Sequence, residues 1–139
     1  PHLALTAKVA GAGDVDGWHY DGNDAVFSVL LREPEGGGIF EYLPNIRSAD
    51  DENYGALAAV FAGDDSLVRR ARLKAGDLNV FQGNRTLHRV SPVEGATRRI
   101  VGLFSYDREP GMTFDESYIN ELRKRTPLAV QVEATQVAA

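Results

Sequence analysis

Cysteine is absent from the 139 residues. That single absence removes disulfides, cysteine-ligated zinc, iron–sulfur clusters and thiol catalysis, and with them any need for an oxidising compartment. No apolar run approaches the ~18 residues a membrane helix requires, and no signal-peptide pattern opens the chain. The cytoplasm is therefore the default expectation. Lysine and arginine form no stripe, and the net charge is −5 with a pI near 5.1. Neither nucleic acid nor an anionic membrane is expected as a partner.

What is present reads as an ordinary globular domain, 43% hydrophobic and 25% charged. The length fits one domain able to bury roughly two thirds of the surface of its unfolded chain. Short β-prone runs alternate with glycine, proline and acidic turns. They are Leu3 to Val9, Val26 to Leu31, Ile39 to Leu43, Val68 to Leu73, Leu78 to Phe81, Thr86 to Val93 and Arg98 to Tyr106. About eight short strands spaced this way predict a mainly β sandwich or barrel. Two segments carry helical spacing. Glu52 to Phe61 places Tyr54, Leu57, Ala58 and Phe61 on one face. Thr113 to Arg125 opens with a capping box at Thr113 and Glu116 and closes on Arg123, Lys124 and Arg125.

Only three histidines occur, and one stands beside a carboxylate in Trp18-His19-Tyr20-Asp21-Gly22. On a strand, residues i and i+2 share a face, so His19 and Asp21 can reach one ion together. His88 follows sixty-seven positions after Asp21. Two imidazoles and one carboxylate on one side of a metal leave three positions open, which suits iron(II) binding a chelating co-substrate and O2. Arg98, ten residues past His88, opens the last strand-like run. A guanidinium there can clamp the remote carboxylate of a dicarboxylic acid. Alternation puts Gly102 and Phe104 on the face of Arg98, so Phe104 is expected to wall the site. Arg99 is the rival for the clamp.

These residues resemble the iron(II)/2-oxoglutarate oxygenase superfamily, whose core is a double-stranded β-helix, or jelly roll. The matching residues are Trp18-His19-Tyr20-Asp21, Glu35-Gly36-Gly37-Gly38 with Pro44, Ala75-Gly76-Asp77, and His88-Arg89-Val90-Ser91-Pro92-Val93 with Gly95 and Arg98. The style is that of the prolyl-hydroxylase-like branch. The ending Leu103 to Met112 also resembles small bacterial enzymes that hydroxylate or halogenate free amino acids. The resemblance implies a jelly-roll core with one or two flanking helices and Fe(II) held by His19, Asp21 and His88. It also implies 2-oxoglutarate on Arg98, and O2 as oxidant. The implied reaction hydroxylates an unactivated C–H bond of a small molecule, with decarboxylation of 2-oxoglutarate to succinate and CO2. Halogenating relatives replace the metal carboxylate with a small residue; Asp21 favours hydroxylation. Family members carry helices and strands ahead of their His-X-Asp, whereas eighteen residues precede His19. The chain is thus expected to be a catalytic core from a longer protein.

Around this set, Trp18 and Tyr20 are expected to face away from the metal and pack. Asn23 is the candidate substrate contact, with Asp24 beside it in a loop whose composition also suits a plain turn. Asn84 and Arg85 are read as a turn, and Arg69 to Arg72 as a solvated strand face. The alternative reading is an inactive or truncated β-helix domain that binds a ligand or partner. A cupin, which draws on three histidines and a glutamate, fails on the count because His2 is terminal. The oligomeric state is not legible in the sequence.

Overall fold

The computed structural model describes residues 5–111, 113, 115–117 and 120. The elements bounded within these residues are, in order, β1 (Leu5–Ala10), β2 (Asp16–His19), β3 (Ala25–Arg32), β4 (Gly36–Gly37), β5 (Phe40–Leu43), α1 (Tyr54–Phe61), β6 (Arg69–Ala71), β7 (Leu78–Phe81), β8 (Leu87–Val90), β9 (Val93–Glu94) and β10 (Arg99–Tyr106). Two four-stranded sheets form, ordered β1-β10-β3-β7 and β2-β8-β5-β6, with β4 and β9 as a small ribbon. Every pairing is antiparallel. Apart from the β5–β6 hairpin and the β4–β9 ribbon, the chain passes back and forth between the two sheets, as in the mainly β jelly roll expected.

The first sheet is built on β3 and β10, the two longest strands, both dominated by β-branched, aromatic and leucine side chains. Their pairing sets Val101 against Leu30, Leu103 against Ser28 and Ser105 against Val26. Val26, Ser28 and Leu30 are buried, so these positions face the second sheet. There Phe81 of β7 meets Phe40 of β5 at 5.0 Å between ring centroids. The turn before β7 is pinned to β3: Leu30 donates its N–H to the Asp77 carbonyl, and Gly76 donates to the Leu30 carbonyl at 2.7 Å. Gly76 takes a φ of 95°, open to glycine at little cost.

The second sheet buries both faces. Its outer face carries Leu43 and Leu87, which join Val60 of α1 in a core cluster with Trp18, Tyr20, Ile46, Leu57 and Val68 against it. Leu87 is 1% exposed, burial worth about 2 kcal/mol. The helix therefore presents Leu57 and Val60, not the predicted face. Tyr54 and Phe61 are 76% and 62% exposed, because α1 lies flat on the sheet along its 57/60 edge. It begins at Tyr54 after Asn53, whose side chain makes no cap. The second predicted helix, Thr113 to Arg125, falls largely outside the described residues.

The outer face of the first sheet is different. Leu5, Phe27, Leu31, Val80, Phe104 and Tyr106 stand exposed on it. No helix among the described residues is long and apolar enough to cross a membrane.

Candidate metal centre

His19 closes β2 and lies directly across from His88 of β8. The two rings sit 4.2 Å apart between centroids. Asp21 follows two residues past the end of β2. Its Oδ1 is 3.5 Å from Nε2 of His19 and its Oδ2 is 3.4 Å from Nε2 of His88. One ligand atom from each of the three residues can be chosen so that all lie within 4.8 Å of one another.

The imidazoles are held by their far nitrogens. Nδ1–H of His19 donates to the Gly17 carbonyl at 2.7 Å, and Nδ1–H of His88 to the Thr86 carbonyl at 2.9 Å. In the neutral rings these bonds fix the tautomer and leave both Nε2 lone pairs pointing at Asp21. Two nitrogen lone pairs and a carboxylate gathered this closely repel unless a cation lies between them. The donor set fits a divalent transition metal.

The two histidines differ in their surroundings. Burial pulls the His19 pKa down, but the Asp21 hydrogen bond, the Gly17 carbonyl and the charges of Asp16 and Asp21 outweigh it and raise it overall. His88 is lowered, because its deeper burial outweighs the pull of Asp21 and the Thr86 carbonyl. Phe40 and Phe81 flank the His88 ring at 5.6 and 4.8 Å, an apolar wall on the interior side. His19 and Asp21 keep 37% and 23% of their side chains exposed, so the opposite side is open to solvent.

The two candidate arginines are placed differently. Arg98 is exposed and precedes β10, whereas Arg99 begins it and is 6% exposed. Nε of Arg99 donates to the Gly38 carbonyl at 3.1 Å. Burial lowers its pKa, partly offset by Asp16. No carboxylate among the described residues lies within ion-pair distance of Arg99. With Phe40, Leu30, Glu33 and Lys74 it lines a cavity of about 270 Å³. The predicted parity along β10 was sound, but Arg98, Gly102 and Phe104 belong to the outer face. Phe104 is exposed and walls nothing at the centre. Gly37 and Gly38 both take left-handed φ near 60°. A Cβ on Gly38 would meet Cδ of Arg99 at 2.9 Å, so the glycine run makes the seat for that arginine.

Asn23 is engaged within the protein. Its side chain is buried and donates to the Ala25 carbonyl within its own turn. Asp24 is engaged as well, by Asn84 Nδ2 at 2.9 Å and by the Arg108 guanidinium, which holds its carboxyl down at about 2. Trp18 and Tyr20 face outward as predicted, each under a guanidinium, Arg89 at 4.6 Å and Arg47 at 3.8 Å. Asp16 escaped the sequence reading. Its charge acts on His19, His88 and Arg99, and it pairs with Lys8 across the two sheets at 2.5 Å. Regular alternation would set Asp16 and His19 on opposite faces. An irregularity in the pairing between them brings both to the interior.

The model of the halogenase D family matches residues 4–121, a stretch that includes every described strand and all three candidate ligands. The chain belongs to the halogenase D family. Its fold and family place it in the 2-oxoglutarate/Fe(II) oxygenase-like superfamily. Among solved structures it is similar to a Pseudomonas putida prolyl-4-hydroxylase, with a TM-score of 0.51 and 16% identity over 75% of this chain and 52% of that one. A non-haem monooxygenase, ThoJ in complex with nickel, is similar with a TM-score of 0.47 and 16% identity over 86% of this chain and 60% of that one. The chain thus spans little more than half the length of these structures, and the likeness concerns the fold. No curated protein matches it.

Proposed function

We propose that this halogenase D family member is an Fe(II)- and 2-oxoglutarate-dependent dioxygenase that hydroxylates an unactivated C–H bond of a small molecule. A free amino acid is the substrate class that the sequence resemblance favours. The observation carrying the reading is the convergence of two tautomer-fixed Nε2 atoms and one carboxylate on a common point. Iron(II) held by His19, Asp21 and His88 would supply O2 activation, coupled to decarboxylation of 2-oxoglutarate to succinate and CO2.

The chain's own residues supply the rest. The Gly17 and Thr86 carbonyls keep both rings oriented, and Phe40 and Phe81 exclude water behind His88. Arg99 replaces Arg98 as the proposed clamp for the distal carboxylate. Its Nε is tied to Gly38, and no carboxylate among the described residues pairs with its outer nitrogens. Halogenation, which the family's description names, fits less well. Among halogenating relatives the carboxylate position is vacant for the halide, and here Asp21 fills it.

The test is uncoupled turnover, which needs no known substrate. Fe(II)-dependent conversion of 2-oxoglutarate to succinate is expected from the wild-type chain and is lost in His19→Ala. Succinate formation that persists in His19→Ala would remove the metal assignment.

A further inference from the structure

The strand ladder does not account for where Asp21 sits. β2 ends at His19, its pairing with β8 is already irregular, and Asp21 lies beyond it with a partly exposed side chain. One backbone bond reaches this residue: Asp21 donates its N–H to the Gly83 carbonyl at 3.1 Å. The carboxylate itself rests on the Cα of Gly83. A Cβ built there would stand 2.5 Å from Oδ2, 2.7 Å from Cβ and 3.0 Å from Cγ of Asp21. Gly83 is buried and does not have the left-handed φ of seven other glycines. Glycine is required here by space, not by backbone conformation.

We propose that Gly83 is the positioning residue for the metal carboxylate, its carbonyl and bare Cα together seating Asp21 against the two histidines. The proposal rests on the metal-centre reading. Gly83 belongs to a turn closed by Arg85 and Thr86 donating to the Gln82 carbonyl, and fastened by Arg47 Nε donating to the Asn84 carbonyl at 2.6 Å. The same turn ends on the Thr86 carbonyl that orients His88. One short segment thus braces two of the three ligands, and a rigid turn cannot yield to a methyl group. In Gly83→Ala the carboxylate must move instead, away from Nε2 of His88.

The experiment is a double-mutant cycle on the full chain, read by Co(II) affinity and by the visible absorption of bound Co(II). Gly83→Ala is expected to weaken Co(II) binding by about tenfold or more, the usual effect of losing a ligand's support. Its spectrum should match that of Asp21→Ala, and combining the two should cause no further loss. Wild-type affinity in Gly83→Ala, or losses that multiply in the double variant, would overturn the proposal. Should Gly83→Ala fold poorly, Gly83→Ala/Asp21→Gly makes room for the methyl and is expected to restore cooperative unfolding of the metal-free chain. Failure to restore it would place the clash elsewhere and end the proposal. A wild-type chain that binds no Co(II) would instead end the metal reading, so the two failures are distinguishable.

Discussion

At the scale of single residues, function rests on how few side chains reach one point. Removing His19 or His88 leaves a single imidazole beside Asp21, too few donors for tight binding. His88→Ala is expected to lower Fe(II) affinity by at least about a hundredfold while circular dichroism stays unchanged, and equilibrium dialysis checks it. Arg99→Ala should raise the 2-oxoglutarate requirement at least about tenfold, and Arg98→Ala less than about twofold, by losing or keeping a buried charge-assisted contact. The opposite ranking in a co-substrate titration would return the clamp to Arg98. The three candidate ligands were legible because His-X-Asp is a local pattern, although Asp21 lies beyond β2 and is held by the Gly83 turn rather than by strand alternation. Which of Arg98 and Arg99 is buried was not legible. It depends on which face of β10 turns inward, and that is set by pairing with Val26 to Leu31, where apolar residues occupy both parities except at Ser28. Asp16 escaped notice because an irregular pairing, invisible in sequence, brings it beside His19.

At the scale of elements, the second sheet is tied across its strands by a buried carboxylate. Glu41 of β5 accepts from Arg70 of β6 at 2.8 Å and from Arg89 of β8 at 2.6 Å, and Arg89 in turn covers Trp18 of β2. Burial raises the Glu41 pKa, but the two arginines outweigh it and hold the carboxyl below its ordinary 4.5. A depressed carboxylate stabilises the fold above its unfolded value and ceases to do so as pH falls through its folded value. Glu41→Gln should therefore cost about 2 kcal/mol at pH 7, less than a fully buried pair because both guanidinium groups are over a third exposed. The gap from wild type should close as pH falls below the ordinary 4.5, as urea unfolding at each pH would show. A gap independent of pH would mean packing, not charge, holds the ladder. On the outer side of this sheet, Leu87→Ala should cost about 2–5 kcal/mol through the cavity it leaves under α1. Helical spacing predicted that α1 exists. The edge it buries was settled by the sheet beneath it, which the spacing of Tyr54, Leu57, Ala58 and Phe61 does not encode.

At the scale of the whole molecule, the two sheets are finished differently. One has a helix over its outer face, while the other shows Phe27, Leu31, Val80 and Phe104 to solvent. In this chain Phe104→Ser should change stability by less than about 1 kcal/mol, since the side chain already meets water. A loss near that of Leu87→Ala in the same denaturant titration would mean that the face is covered in solution. The jelly roll itself was legible from short strands at regular intervals. Details such as the β4–β9 ribbon were not, because two-residue strands leave no periodicity to read. The central claim, that this fold holds iron and a keto acid together on His19, Asp21 and His88, is tested most directly by anaerobic titration with Fe(II) and 2-oxoglutarate. A weak visible charge-transfer band is expected in the wild-type chain and absent in His88→Ala. Iron binding without that band, or a band that survives His88→Ala, would contradict the account.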